Sequence, residues 1–180
     1  MHQEIVCAGF GGQGVLLIGQ TLAYAGMLEG KEVSWYPAYG PEMRGGTANC
    51  TTVIAESQIG SPVTSAPTVL VALNRPSLEK FYSGVVPDGF VVYNSSLIDS
   101  SVLTRSDLQT VGVDANNIAS QIGNSRVANM VMLGAVLALT QLVSLEAVEQ
   151  ALRMVLPSRR HNLLPLNYQA LQKGVELVGA

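Results

Sequence analysis

The chain has 180 residues, the length of one α/β domain with a sizeable core, and residues 1–180 are expected to form a single unit. Only 13% of them are charged, against about 25% in an average soluble domain, and the formal net charge is −3. That balance argues against a nucleic-acid binder or a basic membrane-surface patch, both of which need clustered Lys and Arg, and it suggests a surface partly covered by a partner.

Glu4 to Ala8 is an apolar run of strand formers, followed by the glycine turn GFGGQG at Gly9 to Gly14 and by apolar residues at helical spacing from Val15 to Leu28. Gly30 is the expected helix stop. A second strand over Val33 to Tyr36 leads into a loop rich in Pro and Gly. Thr47 to Ala55 is β-branched and alternating, and Ile59 to Val63 is expected to pair with it as an antiparallel hairpin turning near Glu56 to Gln58.

Thr68 to Leu73 is a further strand, with Asn74, Pro76 and Ser77 opening a helix. Gly89 to Tyr93 and the shorter Val111 to Val113 complete the strands, and a brief helix begins at Asn116 and Asn117 and stops near Gly123. Helices are then expected over Val127 to Leu142, over Leu145 to Leu156 with Ser144 as N-cap, and over Tyr168 to Val178. The apolar stretch Val127 to Val143 holds Asn129, Gly134, Thr140 and Gln141 and is shorter than the roughly 20 residues of a bilayer span, so it reads as a buried helix. Met1 to Val6 has neither the charged head nor the apolar length of a signal segment, which predicts a cytoplasmic protein. Strands alternating with helices predict a three-layer α/β/α fold, its sheet mostly parallel but mixed through the hairpin of residues 47 to 63.

GFGGQG satisfies GxGxxG through Gly9, Gly11 and Gly14, between a strand and a helix, as a dinucleotide-binding turn does. The acidic residue that would hold the ribose hydroxyls is missing from the end of the second strand, which reads Ser34, Trp35, Tyr36; Glu29 and Glu32 lie before it. A stand-alone dinucleotide-binding protein is therefore the alternative reading. A turn that packs helix on sheet, or one that meets a phosphate or a partner chain, remains open beside it.

In Tyr39 to Cys50, YGPEMRGGTANC, glycines and a proline flank Glu42 and Arg44. An arginine held in such a loop can present its planar fork to a carboxylate or phosphate, or pair with Glu42 within the loop. Asn129 is the amide with least reason to sit in so apolar a helix, and a polar bond between helices would account for it equally well. Arg159, Arg160 and His161 form a small basic patch that suits an acidic partner or a solvated turn. Cys7 and Cys50 are too few for an iron–sulfur cluster or a structural zinc site, and with only two histidines no metal site and no catalytic acid, base or nucleophile is expected.

The blocks GFGGQGVLLIGQTLAYAG, WYPAYGPEMRGGTANC, IGSPV, ALNRPSLEKF and VANMVMLGA, in this order over nearly the whole chain, resemble the gamma subunits of 2-oxoacid:ferredoxin (or flavodoxin) oxidoreductases. The resemblance implies an assembly that decarboxylates a 2-oxoacid on thiamine diphosphate, sends electrons through iron–sulfur clusters to ferredoxin or flavodoxin, and passes the acyl group to coenzyme A. It also implies that thiamine diphosphate, Mg2+ and the clusters belong to alpha and beta partners, with a ferredoxin-like delta chain as a further candidate, and that the isolated chain is inactive and able to pair with itself. EMRGGTANC and LNRPSL look most like the 2-oxoglutarate type. The residues expected to meet a ligand or partner are Gly9, Gly11, Gly12, Gln13, Gly14, Tyr39, Glu42, Arg44, Gly45, Gly46 and Asn129, the two loops lying at the carboxyl ends of adjacent strands.

Overall fold

A computed structural model describes residues 1–38 and 46–179. Six strands form one sheet among these residues: β1 (His2–Phe10), β2 (Glu32–Ala38), β3 (Thr47–Ala55), β4 (Val69–Ala72), β5 (Phe90–Asn94) and β6 (Gln109–Val113), in the order β2-β3-β1-β4-β5-β6. β1, β4, β5 and β6 run parallel, while β3 lies antiparallel to both β1 and β2. The three-layer, mixed α/β expectation holds.

The expected hairpin partner does not. Ile59 to Val63 is no strand, because β1 and β2 already occupy both edges of β3 and leave no ladder to join. Pro62 lacks an N–H, and the Ser61 hydroxyl instead bonds Val63 on both its carbonyl oxygen (2.9 Å) and its N–H (3.3 Å). The antiparallel part of the sheet is thus β3 with β2 on one side and β1 on the other.

The sheet is covered unequally. On one face Ile5, Cys7, Val69, Val71 and Val92 pack with α1 (Val15–Leu28), α3 (Ala115–Ile122), α4 (Ala128–Thr140), α5 (Leu145–Val155) and α6 (Leu164–Val178). On the other, Val6, Ala8, Leu70, Ala72, Val91 and Tyr93 meet Leu78 of α2 (Arg75–Phe81) together with Val85 and Ile98. Strands buried on both faces explain why β1 and β4 read as unbroken apolar runs rather than alternating ones.

Helix ends follow local chemistry. The Asn74 side chain accepts from Ser77 N–H (3.0 Å), Ser144 Oγ from Ala147 N–H (3.1 Å), and Gly123 ends α3 at φ 100°. α4 is buried continuously from Asn129 to Leu137, as its apolar composition demands, and stops where Gln141 turns left-handed. α6 begins four residues before the expected Tyr168, with Pro165 in its first turn, where a missing N–H breaks no helical bond. No helix among the described residues is long and apolar enough to cross a membrane.

Candidate functional site

β1 hands the chain through α1 toward β2 on one side, whereas β4 hands it through α2 toward β5 on the other. The crevice between the carboxyl ends of β1 and β4 is therefore a topological switch point, where α/β sheets present ligands. A cleft of about 410 Å³ opens there, lined by Gly12 and Gln13 after β1, Leu73 after β4, Asn94 at the end of β5, Asn116 and Ser120 of α3, Arg126 in the turn between α3 and α4, and Asn129 of α4.

Gly12 and Gly14 hold the turn at φ 92° and 80°, a left-handed geometry that side chains rarely adopt. Gly12 has open space above it, and Gly14 is also pressed by its neighbour: a Cβ there would lie 2.3 Å from Asn129 Nδ2. Gly9 continues β1 opposite Ala48, so the strand runs two residues beyond its expected end. Gly11 N–H donates to the Gly46 carbonyl (3.0 Å), which ties the glycine turn to the start of β3.

The glycine turn and the start of β3 thus meet at one end of the sheet, and β1 and β2 are not the adjacent strands expected: β3 separates them. Tyr39, Glu42, Arg44 and Gly45 lie outside the described residues. The Rossmann comparison changes in the same way. The strand beside β1 is β3, which enters antiparallel at Gly46 and Thr47, and β2 ends in Tyr36, Pro37 and Ala38, so the described strand ends carry no carboxylate for a ribose.

Gln13, expected to face a ligand, lines the cleft and is also bonded within the protein. Its Oε1 accepts from Phe10 N–H (2.7 Å) and Asn74 Nδ2 (2.9 Å), and its Nε2 donates to the Leu73 carbonyl (3.4 Å). Asn94 is likewise engaged, donating to Asn116 Oδ1 (3.0 Å) and accepting from Ser96 N–H (3.2 Å). Asn129 is different. It is 4% exposed and donates weakly to the Gly14 carbonyl (3.4 Å), and its carbonyl oxygen has no hydrogen-bond partner.

Arg126, absent from the sequence expectations, stands exposed on the cleft wall and forms no ion pair among the described residues. The available signal was an arginine three residues before the anomalous amide. The basic run 159–161 contributes nothing to the cleft: it forms a short 3-10 turn in which the His161 ring bonds the Leu156 carbonyl at 2.9 Å.

Cys7 and Cys50 face each other across β1 and β3, both free and fully buried. The hydrogen bond between them, together with burial, pushes the Cys7 thiol well above its ordinary pKa. No group of three or more His, Cys, Asp or Glu among the described residues is arranged to hold a metal ion. The donor set here does not fit an iron–sulfur cluster.

Residues 4–177 match the family model described as pyruvate ferredoxin/flavodoxin oxidoreductase. The chain belongs to this family. Among its relatives, ketoisovalerate oxidoreductase subunit VorA of Methanothermobacter marburgensis is 43% identical over 175 residues, covering 96% of this chain and 36% of the relative. The chain therefore spans only about a third of that relative's length. The 2-oxoglutarate synthase subunit KorC of Methanocaldococcus jannaschii is 35% identical over 181 residues, covering 98% of this chain and 94% of the relative. The crystal structure of a keto/oxoacid ferredoxin oxidoreductase gamma subunit from Geobacter sulfurreducens superposes with a TM-score of 0.83 at 32% identity, covering 98% of both chains. Within the family fold, four of the five sequence blocks fall mainly on the β1–α1 turn, the β2–β3 connection, the entrance to α2 and the start of α4, three of which border the cleft, and IGSPV lies between β3 and β4.

Proposed function

We propose that this chain is a gamma-type subunit of a cytoplasmic 2-oxoacid:ferredoxin oxidoreductase, supplying assembly surface and coenzyme A access while thiamine diphosphate, Mg2+ and the iron–sulfur clusters sit on alpha- and beta-type partners. The observation that carries this reading is the cleft at the β1/β4 switch point, joined by the Gly11–Gly46 bond to the connection that holds Glu42 and Arg44. A glycine turn kept open by positive-φ residues, a buried amide oxygen and a guanidinium without an ion pair among the described residues suit recognition of a bound group. They do not suit bond cleavage, for which no general acid, base or nucleophile among the described residues converges there.

The substrate we assign is 2-oxoglutarate, on the strength of EMRGGTANC, LNRPSL and the whole-length likeness to the KorC subunit. A branched 2-oxoacid is the second reading, favoured by the 43% identity to a ketoisovalerate oxidoreductase subunit. The test is anaerobic affinity purification of the tagged chain from its native cells, followed by coenzyme A-dependent viologen reduction with 2-oxoglutarate, ketoisovalerate or pyruvate. Co-purification of thiamine- and cluster-bearing chains supports the subunit reading, and the preferred oxoacid decides the substrate. A chain recovered alone and inactive returns the dinucleotide-binding alternative to first place.

A further inference from the structure

Away from the cleft, the fold brings the two cysteines of the chain together, and the register fixes how they face. Gly11 N–H donates to the Gly46 carbonyl (3.0 Å) and Glu56 N–H to that of Met1 (3.1 Å), at opposite ends of the β1–β3 ladder. Hydrogen-bonded pairs recur at every second residue of an antiparallel ladder, so Cys7 and Cys50 form one, with Cα atoms about 5.5 Å apart. Disulfides span Cα separations of about 4.4–6.8 Å, and the backbone already stands in that range. The Cβ atoms of such a pair are about 5–5.5 Å apart, against about 3.8 Å in a disulfide, so closure strains the ladder and leaves the bond open to reduction.

The two sulfurs are not equivalent. Cys7 S–H donates to Cys50, whose own S–H donates to the Val15 carbonyl at the start of α1 (3.5 Å). The Trp35 indole N–H, buried without a hydrogen-bond partner among the described residues, lies at the same place: a Cβ on Gly19 would meet the Cys50 sulfur, Thr52 Oγ1 and Trp35 Nε1 together. Thr52 is engaged with the Gly19 carbonyl (3.0 Å), which leaves the indole N–H to serve an anionic Cys50 sulfur. The bond from Cys7, with help from this N–H, holds the Cys50 thiol below its ordinary pKa in spite of burial, while Cys7 is held above its own.

We propose that Cys50 and Cys7 are a peroxide-oxidised pair, with Cys50 the attacking sulfur and Cys7 the resolving one. Cys50 attacks one oxygen of hydrogen peroxide, the O–O bond breaks, and the departing hydroxide leaves as water with the Cys50 proton, giving a sulfenic acid. Cys7 then displaces hydroxide from that sulfur, the S–S bond forming as S–O breaks, and a second water leaves with the Cys7 proton. Two thiols are thereby oxidised to one disulfide and one peroxide is reduced to two waters. Peroxide is the fitting oxidant because it is close to water in size, whereas both sulfurs are closed to bulkier disulfides. The disulfide lacks the S–H that bonds Val15, so oxidation loosens the start of α1.

The test treats the purified 180-residue chain with hydrogen peroxide and maps its peptides without reduction. Exposed Met154 serves as the internal measure of dose, through its sulfoxide. Wild type is expected to yield a linked Cys7–Cys50 peptide pair that dithiothreitol returns to two free thiols. The fluorescence of Trp35, the one tryptophan, should fall at the rate of linkage, because the new disulfide stands beside its indole. Cys7→Ala should stop at a sulfenic acid on Cys50, trapped by a cyclic 1,3-diketone, and Cys50→Ala should leave Cys7 a free thiol. Trp35→Phe should form the same disulfide several-fold more slowly, since the anionic sulfur has lost a donor.

Met154 oxidised in wild type with both thiols intact overturns the proposal and leaves the cysteines to packing alone. So does sulfinic or sulfonic acid on either cysteine without linkage, or linkage between chains instead of within one. If an alanine variant does not fold, the wild-type map and the Trp35→Phe rate decide. None of these readouts needs a partner chain, so a negative result leaves the gamma-type reading standing.

Discussion

Gly134 of α4 and Gly174 of α6 put two helix backbones in direct contact. A Cβ on Gly134 would lie 2.1 Å from the Leu171 carbonyl oxygen, and one on Gly174 would lie 2.1 Å from that of Val131. Neither obstacle is a flexible side-chain tip, so an added methyl must part the helices. Because α4 also carries Asn129, this crossing sets how deep the cleft floor sits.

We therefore expect Gly134→Ala or Gly174→Ala to destabilise the protein by about 2–4 kcal/mol, the upper part of the overpacking range, and to lower the melting temperature by about 5–15 °C. Gly60→Ala is the control: no atom lies within 4 Å of its Cβ position, and its stability should stay within about 0.5 kcal/mol. Equal melting points for Gly134→Ala and Gly60→Ala would show that the helices are not held this closely.

Gln13→Ala tests whether the glycine turn is braced from within. The substitution leaves Phe10 N–H and the nearly buried Asn74 amide without their common acceptor, at a cost of about 1–3 kcal/mol in denaturant midpoint experiments. Gln13→Glu at neutral pH keeps an acceptor for both donors but turns its second carboxylate oxygen toward the Leu73 carbonyl, acceptor against acceptor, so it should recover only part of the loss. A glutamate variant as unstable as the alanine one would mean that the turn depends on something else.

What could be read from the chain alone divides along the range of the interactions. The glycine turn, the Asn74 and Ser144 caps and the stop at Gly123 depend on residues within one turn of helix, and all appear where their side-chain chemistry puts them. The pairing of Ile59 to Val63 failed because its outcome depends on β1 and β2 having claimed β3, a fact of sheet order that no local pattern carries. The motif marks Gln13 but not its bonding partners Leu73 and Asn74, which lie about sixty residues away. Arg126 was missed for the converse reason: nothing around Ser125 signals that the turn between α3 and α4 lines the same cleft as Gly12.

Cys7 and Cys50 offer a check on the β1–β3 register. Both are fully buried and directly opposed, and the Cys7 thiol is pushed further from ionisation by its bond to Cys50 and by burial. In native protein at pH 8 neither should react with an aromatic disulfide reagent over minutes, and both should react at once in denaturant. Rapid native labelling of one thiol would show that the sheet opens there.

Glu29 clamps the far end of the fold and sets a pH dependence. Its carboxylate bonds Lys31 Nζ (2.8 Å) and accepts from Ser144 N–H at the start of α5 (2.7 Å), while Lys31 also donates to the Leu142 carbonyl. Burial by itself would raise its pKa, but the bonds from Lys31 and Ser144 outweigh it and hold the carboxyl below the ordinary carboxylate value. A pKa lower in the folded than in the unfolded chain means that the stabilisation is complete above about pH 4.3 and is lost as pH falls through the folded value. Urea midpoints of wild type and Glu29→Gln should therefore differ at pH 6 and converge toward pH 3. A gap that stays constant over that range would place the contribution of Glu29 in packing rather than in charge.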